Sequence, residues 1–405
     1  MKNLRECIAD VMGPVASGER LFFPLGGIGE NVQRLAGIKS ELFYNDVDVN
    51  TELACLGAQY YETYPSFSWD IYNFEARALG QPVTVSELGL PDIDYSHPII
   101  KSEDDLDKIK WPTEDPLDAG RYPLFLSQID VANRYFDFKL QLFPVASSFT
   151  LACELVGFPA FMRMVKKQPD LAHEIMRRIV DNIHIPLVKS VSKRWPGIMF
   201  KFSDAWEMIP NISPKFQEEF VWKYYDRFLE GAKGCDCVIS WYMTYGEGSM
   251  PNPEEYLKAK SKYSLGISNV NTEGCPPELY HKVAIETGLP LTVYIPAPLI
   301  LDGPPDKIVE FTREMARTQR IGVNNFNWLA VCPATASPQN IKAVQAAGDA
   351  FGVLPCPKTE ADFDKIDVKI PEVKETFGEF CRRMAKENPD GYTFKWLDDA
   401  RFVDE

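Results

Sequence analysis

The chain has 405 residues, 45% hydrophobic and 25% charged, the balance of a globular protein with a sizeable core. Its formal net charge of −15 argues against nucleic acid and anionic membrane as partners, and against a substrate with many carboxylates unless cations gather in the pocket. No apolar run reaches the roughly 18 residues of a spanning helix. The N-terminal MKNLRECIADVMGPV contains acids and does not read as a secretory signal, and nine scattered cysteines imply reduced thiols in a cytoplasmic protein.

In chain order, short β-rich runs alternate with longer helical ones. The predicted strands are Arg20–Leu25, Ser66–Ile71, Lys139–Ala146, Gly197–Ser203, Cys235–Trp241, Tyr263–Val270, Leu291–Ile295 and Gly322–Ala330. Helical patterns at Pro159–Ser190, Pro214–Lys233, Pro277–Thr287 and Pro305–Thr318 each open on proline, which suits a first helical turn. The Pro- and Asp-rich stretch from Gln81 to Ala132 reads as a crossing segment outside the repeat. Cys235 and Cys237 point the same way along a strand, and without a second Cys/His pair at zinc-finger spacing they read as core. Eight strands alternating with helices predict an α/β fold, a closed (β/α)₈ barrel over residues 1–354 with a long insertion at about 81–132. The charged residues 355–405 form an extension packed on it.

A barrel gathers its chemistry at the C-terminal strand ends. The second strand ends SFSWDIYNF, with Trp69 and Asp70; the fourth ends KFSDAWE, with Asp204, Trp206 and Glu207. The fifth runs into SWYMTYGEGS, with Trp241, Tyr245 and Glu247, and the eighth into NNFNWLAVCP, with Asn327, Trp328 and Cys332. Aromatic rings mixed with a few carboxylates and amides suit a pocket for an aromatic ligand. Any one of these rings would equally suit a half-buried rim position.

Several segments, taken in order, resemble the uroporphyrinogen decarboxylase superfamily: FSWDIYNFEARALG, SSFTLACELVGFPAFMRMVKKQPD, the run from Lys201 to Gly234, PAPLILDGPPDKIVEFTREMAR and CPATASPQNIKAVQAAGDAFG. The resemblance spans roughly Arg20 to Gly352 and implies the same barrel. True decarboxylases in that superfamily bind a porphyrinogen with eight carboxylates through an arginine-rich motif near the first strand. The equivalent FFPLGGIGENVQRLAGIK holds one arginine, Arg34, although Asp70 falls near their pyrrole-binding aspartate. Glu75-Ala-Arg-Ala-Leu-Gly80 is closer to the corrinoid-dependent methyltransferase branch.

Thiol-alkylating members of that branch hold zinc with a His-x-Cys pair after strand five and a cysteine after strand eight. Cys332 matches the last ligand, but the pair is replaced by Met243-Thr244-Tyr245. A thioether and a phenol do not supply the imidazole and thiolate that zinc favours. Zinc in its usual form is therefore not expected; a rearranged metal site would use Cys332 with Asp204 and Glu247. The resemblance then implies a methyltransferase that demethylates a methoxylated aromatic (vanillate-, guaiacol- or veratrole-like). The methyl group would pass to the cobalamin of a separate corrinoid protein, since the chain has no corrinoid-binding Asp-x-His-x-x-Gly stretch. The catalytic candidates are Asp204, Tyr245 and Glu247. The ring-binding candidates are Trp69, Asp70, Trp206, Trp241, Asn327 and Trp328. Competing readings are a halomethane or amine as methyl donor, decarboxylation of a non-porphyrin acid, and a non-enzymatic module that docks a corrinoid protein.

Overall fold

A computed structural model describes residues 3–68, 73–112, 115–241, 250–270 and 275–403. Its strands are β1 (Leu25–Gly26), β2 (Val83–Thr84), β3 (Asp92–Ile93), β4 (Leu142–Ala146), β5 (Ile198–Ser203), β6 (Cys237–Trp241), β7 (Ile267–Asn269), β8 (Leu291–Ile295) and β9 (Phe326–Val331). Two parallel sheets carry the fold, ordered β4-β5-β6 and β1-β9-β8-β7, while β2 and β3 form a small antiparallel hairpin. Between the two sheets, Trp241 N–H donates to the Tyr263 carbonyl at 3.2 Å, and Leu265 N–H to the Ser240 hydroxyl at 3.1 Å. This is the α/β barrel architecture expected from the alternation. Part of the strand expected at 66–71 lies outside the described residues, and the first expected strand is reduced to Leu25–Gly26. Pro24 explains that reduction, because it has no N–H to add to a ladder.

Strand parity sets the two faces. Ile198, Phe200 and Phe202 of β5 are buried, and Phe202 meets His184 and Phe228 on surrounding helices with ring centroids 5.5 and 4.9 Å apart. In β7, Asn269 donates to Gln319 of the helix Pro305–Gln319 at 2.8 Å, so its row also faces outward. The alternate rows, Met199–Lys201–Ser203 in β5 and Thr292–Tyr294 in β8, therefore face the lumen.

The expected helix at 159–190 is broken twice. Gln168 adopts φ −141°, ψ 59° before Pro169, as a residue preceding proline tends to leave the helical region, so Phe158–Lys167 and Pro169–Ile179 are separate helices. A π turn at Val180–His184 then precedes Ile185–Arg194, where Pro186 has no N–H for an ordinary helical bond. No single helix among the described residues is long and apolar enough to cross a membrane.

The C-terminal segment lies against the barrel's outer helices. Glu52, fully buried on helix Val47–Tyr61, accepts hydrogen bonds from the Tyr135 hydroxyl (2.8 Å), Thr393 N–H (2.6 Å), Phe394 N–H (3.2 Å) and the Trp396 indole (3.1 Å). Arg401 and Val403 donate their N–H groups to the Ala36 and Leu35 carbonyls at 2.8 and 3.0 Å, completing the end of helix Ile28–Ala36.

Candidate active site

β5 ends at Ser203, and the chain turns at once, Glu207 N–H donating to the Asp204 carbonyl at 3.0 Å. This turn sinks both carboxylates: Asp204 is 2% exposed and Glu207 0%. Burying two acids is unfavourable unless they meet compensating charge or donors. Lys260, the last residue of helix Pro253–Lys260, supplies one charge; it is itself 0% exposed, with Nζ 3.2 Å from Asp204 Oδ2. The Tyr225 hydroxyl donates to Glu207, and its ring lies 5.4 Å below the Lys260 ammonium. Gln217 donates its amide to the Glu207 carbonyl and accepts from the Tyr256 hydroxyl at 2.6 Å.

The electrostatics follow from crowding two acids around one ammonium. Burial raises the Asp204 carboxyl above its usual range against the pull of Lys260. Burial likewise pushes Glu207 up to about 7; Lys260 opposes the rise and the neighbouring Asp204 charge adds to it. For Lys260, burial works against the charge, but Asp204, Tyr256 and Glu207 outweigh it and its pKa is raised. Lys201, in the lumen row, is pushed down to about 8, mainly by burial. A proton is thus held near neutrality at the end of β5, beside a cation that stays charged.

A second group gathers where β1 meets β9. Cys332 N–H extends the pairing to the Gly26 carbonyl at 2.8 Å. Gly27 has φ 77°, and a Cβ there would lie 2.2 Å from the Cys332 carbonyl oxygen, so only glycine fits the seam. Burial, with Glu30 adding, raises the Cys332 thiol to about 12, and burial raises Glu30 as well. Among the described residues, no group of three or more His, Cys, Asp or Glu side chains could hold a metal ion, so a site uniting Cys332 with Asp204 finds no support there. Their surroundings differ: Lys260 and Glu207 for Asp204, Gly26 and Glu30 for Cys332. Glu247 lies outside the described residues.

The sequence pattern of the uroporphyrinogen decarboxylase (URO-D) family matches residues 50–284, more than half of the chain. The chain belongs to that family. Within it, β4, β5, β6 and β7 and the Asp204–Glu207–Lys260 cluster all fall inside the matched URO-D region. The fold is similar to that of a solved structure described as a methyltransferase from Methanosarcina mazei, with a TM-score of 0.62 and 18% identity over 87% of this chain and 99% of that one. No curated protein matches the chain.

The other predicted site residues of this URO-D chain divide by strand parity. Asn327 pairs in register with Thr292 and faces the lumen. Trp328 lies in the opposite row, in register with Val293 and, through it, Asn269; it is 1% exposed and faces the helices. Trp241, in register with Phe202, is also turned outward, stacked on Tyr225 at 4.3 Å and on Phe202 at 5.0 Å. Both tryptophans are therefore core residues, not pocket walls: a strand's two-residue period puts them behind the sheet. Trp206 is half-buried beyond β5, stacked on Phe158 at 5.1 Å with the Tyr95 ring edge-on at 5.9 Å. Trp69, Asp70 and Tyr245 lie outside the described residues. Sequence reasoning gave no role to Lys201, Tyr225 or Lys260. Lys201 did leave a signal, as the one charge inside an apolar strand; Lys260 left none in the charged helix PEEYLKAK.

Proposed function

We propose that this URO-D family chain is a methyltransferase that demethylates a methoxylated aromatic compound and passes the methyl group to a separate corrinoid protein. The observation that carries the reading is the buried Asp204–Glu207–Lys260 cluster at the end of β5. Family membership and the fold shared with a methyltransferase support it.

The partner's corrinoid, when bound, supplies a nucleophilic cobalt as methyl acceptor. What remains for the chain is the leaving group. As the C–O bond breaks, the electron pair stays on the aryl oxygen, and a phenolate of pKa about 10 takes up a proton. An ordinary carboxyl group is almost fully ionised at pH 7 and has no proton to give. Glu207, pushed up to about 7, retains a proton in a large fraction of molecules and remains acidic enough to protonate a phenolate. Lys260 stays charged beside Asp204 to offset developing negative charge. Tyr245 and Glu247 are proposed to complete the site from the segment after β6, with Trp206 and Asn327 bounding the ring.

The test mixes the protein with a reduced corrinoid protein and a panel of methoxyarenes while following the Co(I) absorbance. Loss of the Co(I) band with at least one methoxyarene, slowed by Asp204→Asn, is the expected result. An unchanged spectrum across the panel would overturn the reading.

A further inference from the structure

A cavity of about 540 Å³ lies between the end of helix Val47–Tyr61, helix Pro338–Phe351 and the C-terminal segment 371–375, and shares no lining residue with the β5 cluster. That volume suits a small molecule, whose sites run from about 300 to 1,000 Å³. The segment that closes it is pinned at three points. Gln339 donates its amide to the Pro371 carbonyl and accepts from Val373 N–H, both at 3.1 Å, and the Tyr60 hydroxyl donates to the Glu375 carbonyl at 2.9 Å. The buried rings of Tyr60 and Phe380 meet at 5.4 Å and, with Val373, give the cavity an apolar side.

The charges around this cavity are balanced, Glu62, Glu372 and Glu375 against Lys342, Lys374 and Arg383. Arg383 is held to Glu375 by two hydrogen bonds, while Glu372 and Lys374 are exposed on the segment. The remaining pair stands further apart than a hydrogen bond, with Lys342 Nζ 3.9 Å from Glu62 Oε2. The Lys342 side chain is 11% exposed and that of Glu62 60%, so the ammonium is set into the wall and the carboxylate lies at the opening. Burial pulls the Lys342 pKa down against the opposing effect of Glu62 and Cys7, so the fold keeps this cation at a cost.

We propose that this cavity binds an apolar α-amino acid, its carboxylate on Lys342, its ammonium on Glu62 and its side chain against Tyr60, Phe380 and Val373. A zwitterion enters between Lys342 and Glu62 with opposite signs in contact at both ends, so neither residue has to lose a partner. A carboxylate alone would bring a second negative charge beside Glu62, and an amine alone a second positive charge beside Lys342. Charge-assisted hydrogen bonds at both ends replace one loose contact. None of these residues takes part in the proposed methyl transfer, so the amino-acid site and that reaction stand or fall separately.

The experiment measures binding to the full chain by calorimetry at pH 7, using L-phenylalanine and L-leucine. Beside them are run the analogues that lack the ammonium, 3-phenylpropanoate and 4-methylpentanoate, and those that lack the carboxylate, 2-phenylethylamine and 3-methylbutylamine. We expect at least one of the two amino acids to bind on the order of 10-fold more tightly than both of its analogues, as a charge-assisted hydrogen bond at each end implies. Lys342→Met brings that amino acid to the level of its amine, and Glu62→Gln brings it to the level of its acid. Absence of binding by both amino acids, an analogue that matches its amino acid, or a preference that survives either substitution overturns the proposal. The comparison of ligands on the wild-type chain needs no variant, and so does not depend on how Lys342→Met folds.

Discussion

Replacing Glu207 with Gln should make the protein more stable than wild type at pH 8 and bring the two together at pH 5. An acid whose pKa is raised by folding binds more protons in the native state, so stability falls as pH climbs from its unfolded value toward its folded one. For Glu207 that window runs from 4.5 to about 7. Linkage then gives a loss of about 2 to 3 kcal/mol between pH 5 and pH 8, which a neutral glutamine does not share. The amide can still accept from the Tyr225 hydroxyl, but its nitrogen takes the place of Oε2, which has no hydrogen-bond partner among the described residues, at a cost of about 1 kcal/mol at every pH. At about 2.1 cal/mol/K per residue, 405 residues convert 2 to 3 kcal/mol into a relative shift of roughly 3 °C in midpoint. The assay is thermal and urea unfolding of both proteins across pH 5 to 8. Glu75, also pushed up to about 7 by burial, is common to both and cancels in the difference. Parallel curves, or a gap that shifts the other way, would show that Glu207 does not store a proton in the fold.

Lys260→Met removes the ammonium that faces Asp204 and should cost about 3–5 kcal/mol, the usual penalty for stranding one member of a buried pair. Adding Asp204→Asn should restore part of it, and urea unfolding of the two variants reads the coupling. Trp241→Ala should lower stability by about 3–5 kcal/mol through loss of its contacts with Tyr225 and Phe202. Calorimetry of that variant below its unfolding range should find methoxyarene affinity little changed; a large loss would return Trp241 to the pocket.

The barrel was legible because strand-helix alternation survives local errors in boundaries. What the sequence hid was which way each strand faced. In β6 the run Cys-Val-Ile-Ser-Trp is largely apolar on both faces, as barrel strands are, so nothing in it says that Trp241 shares its side with Phe202. The same ambiguity concealed Trp328, whereas Asn327 and Lys201, polar residues inside apolar strands, marked the lumen side. Asp204 was legible from its place just past a strand. Lys260 was not, because its pairing with Asp204 depends on how a distant helix is laid down, and several other lysines and acids share its charged stretch. The split of the long helix at Gln168 was foreshadowed by Pro169.

The hydrogen bonds from Arg401 and Val403 to helix Ile28–Ala36 have a consequence for biosynthesis. That helix begins against the Gly27–Cys332 seam and carries Glu30 in its first turn, yet its last carbonyls wait for the N–H groups of residues 401 and 403, which are synthesised long after it. A nascent chain on the ribosome therefore holds this rim of the barrel with one end unfinished. Protease nicking beyond helix Phe377–Glu387 would return the mature molecule to the same condition, loosening a rim far from the cut in sequence.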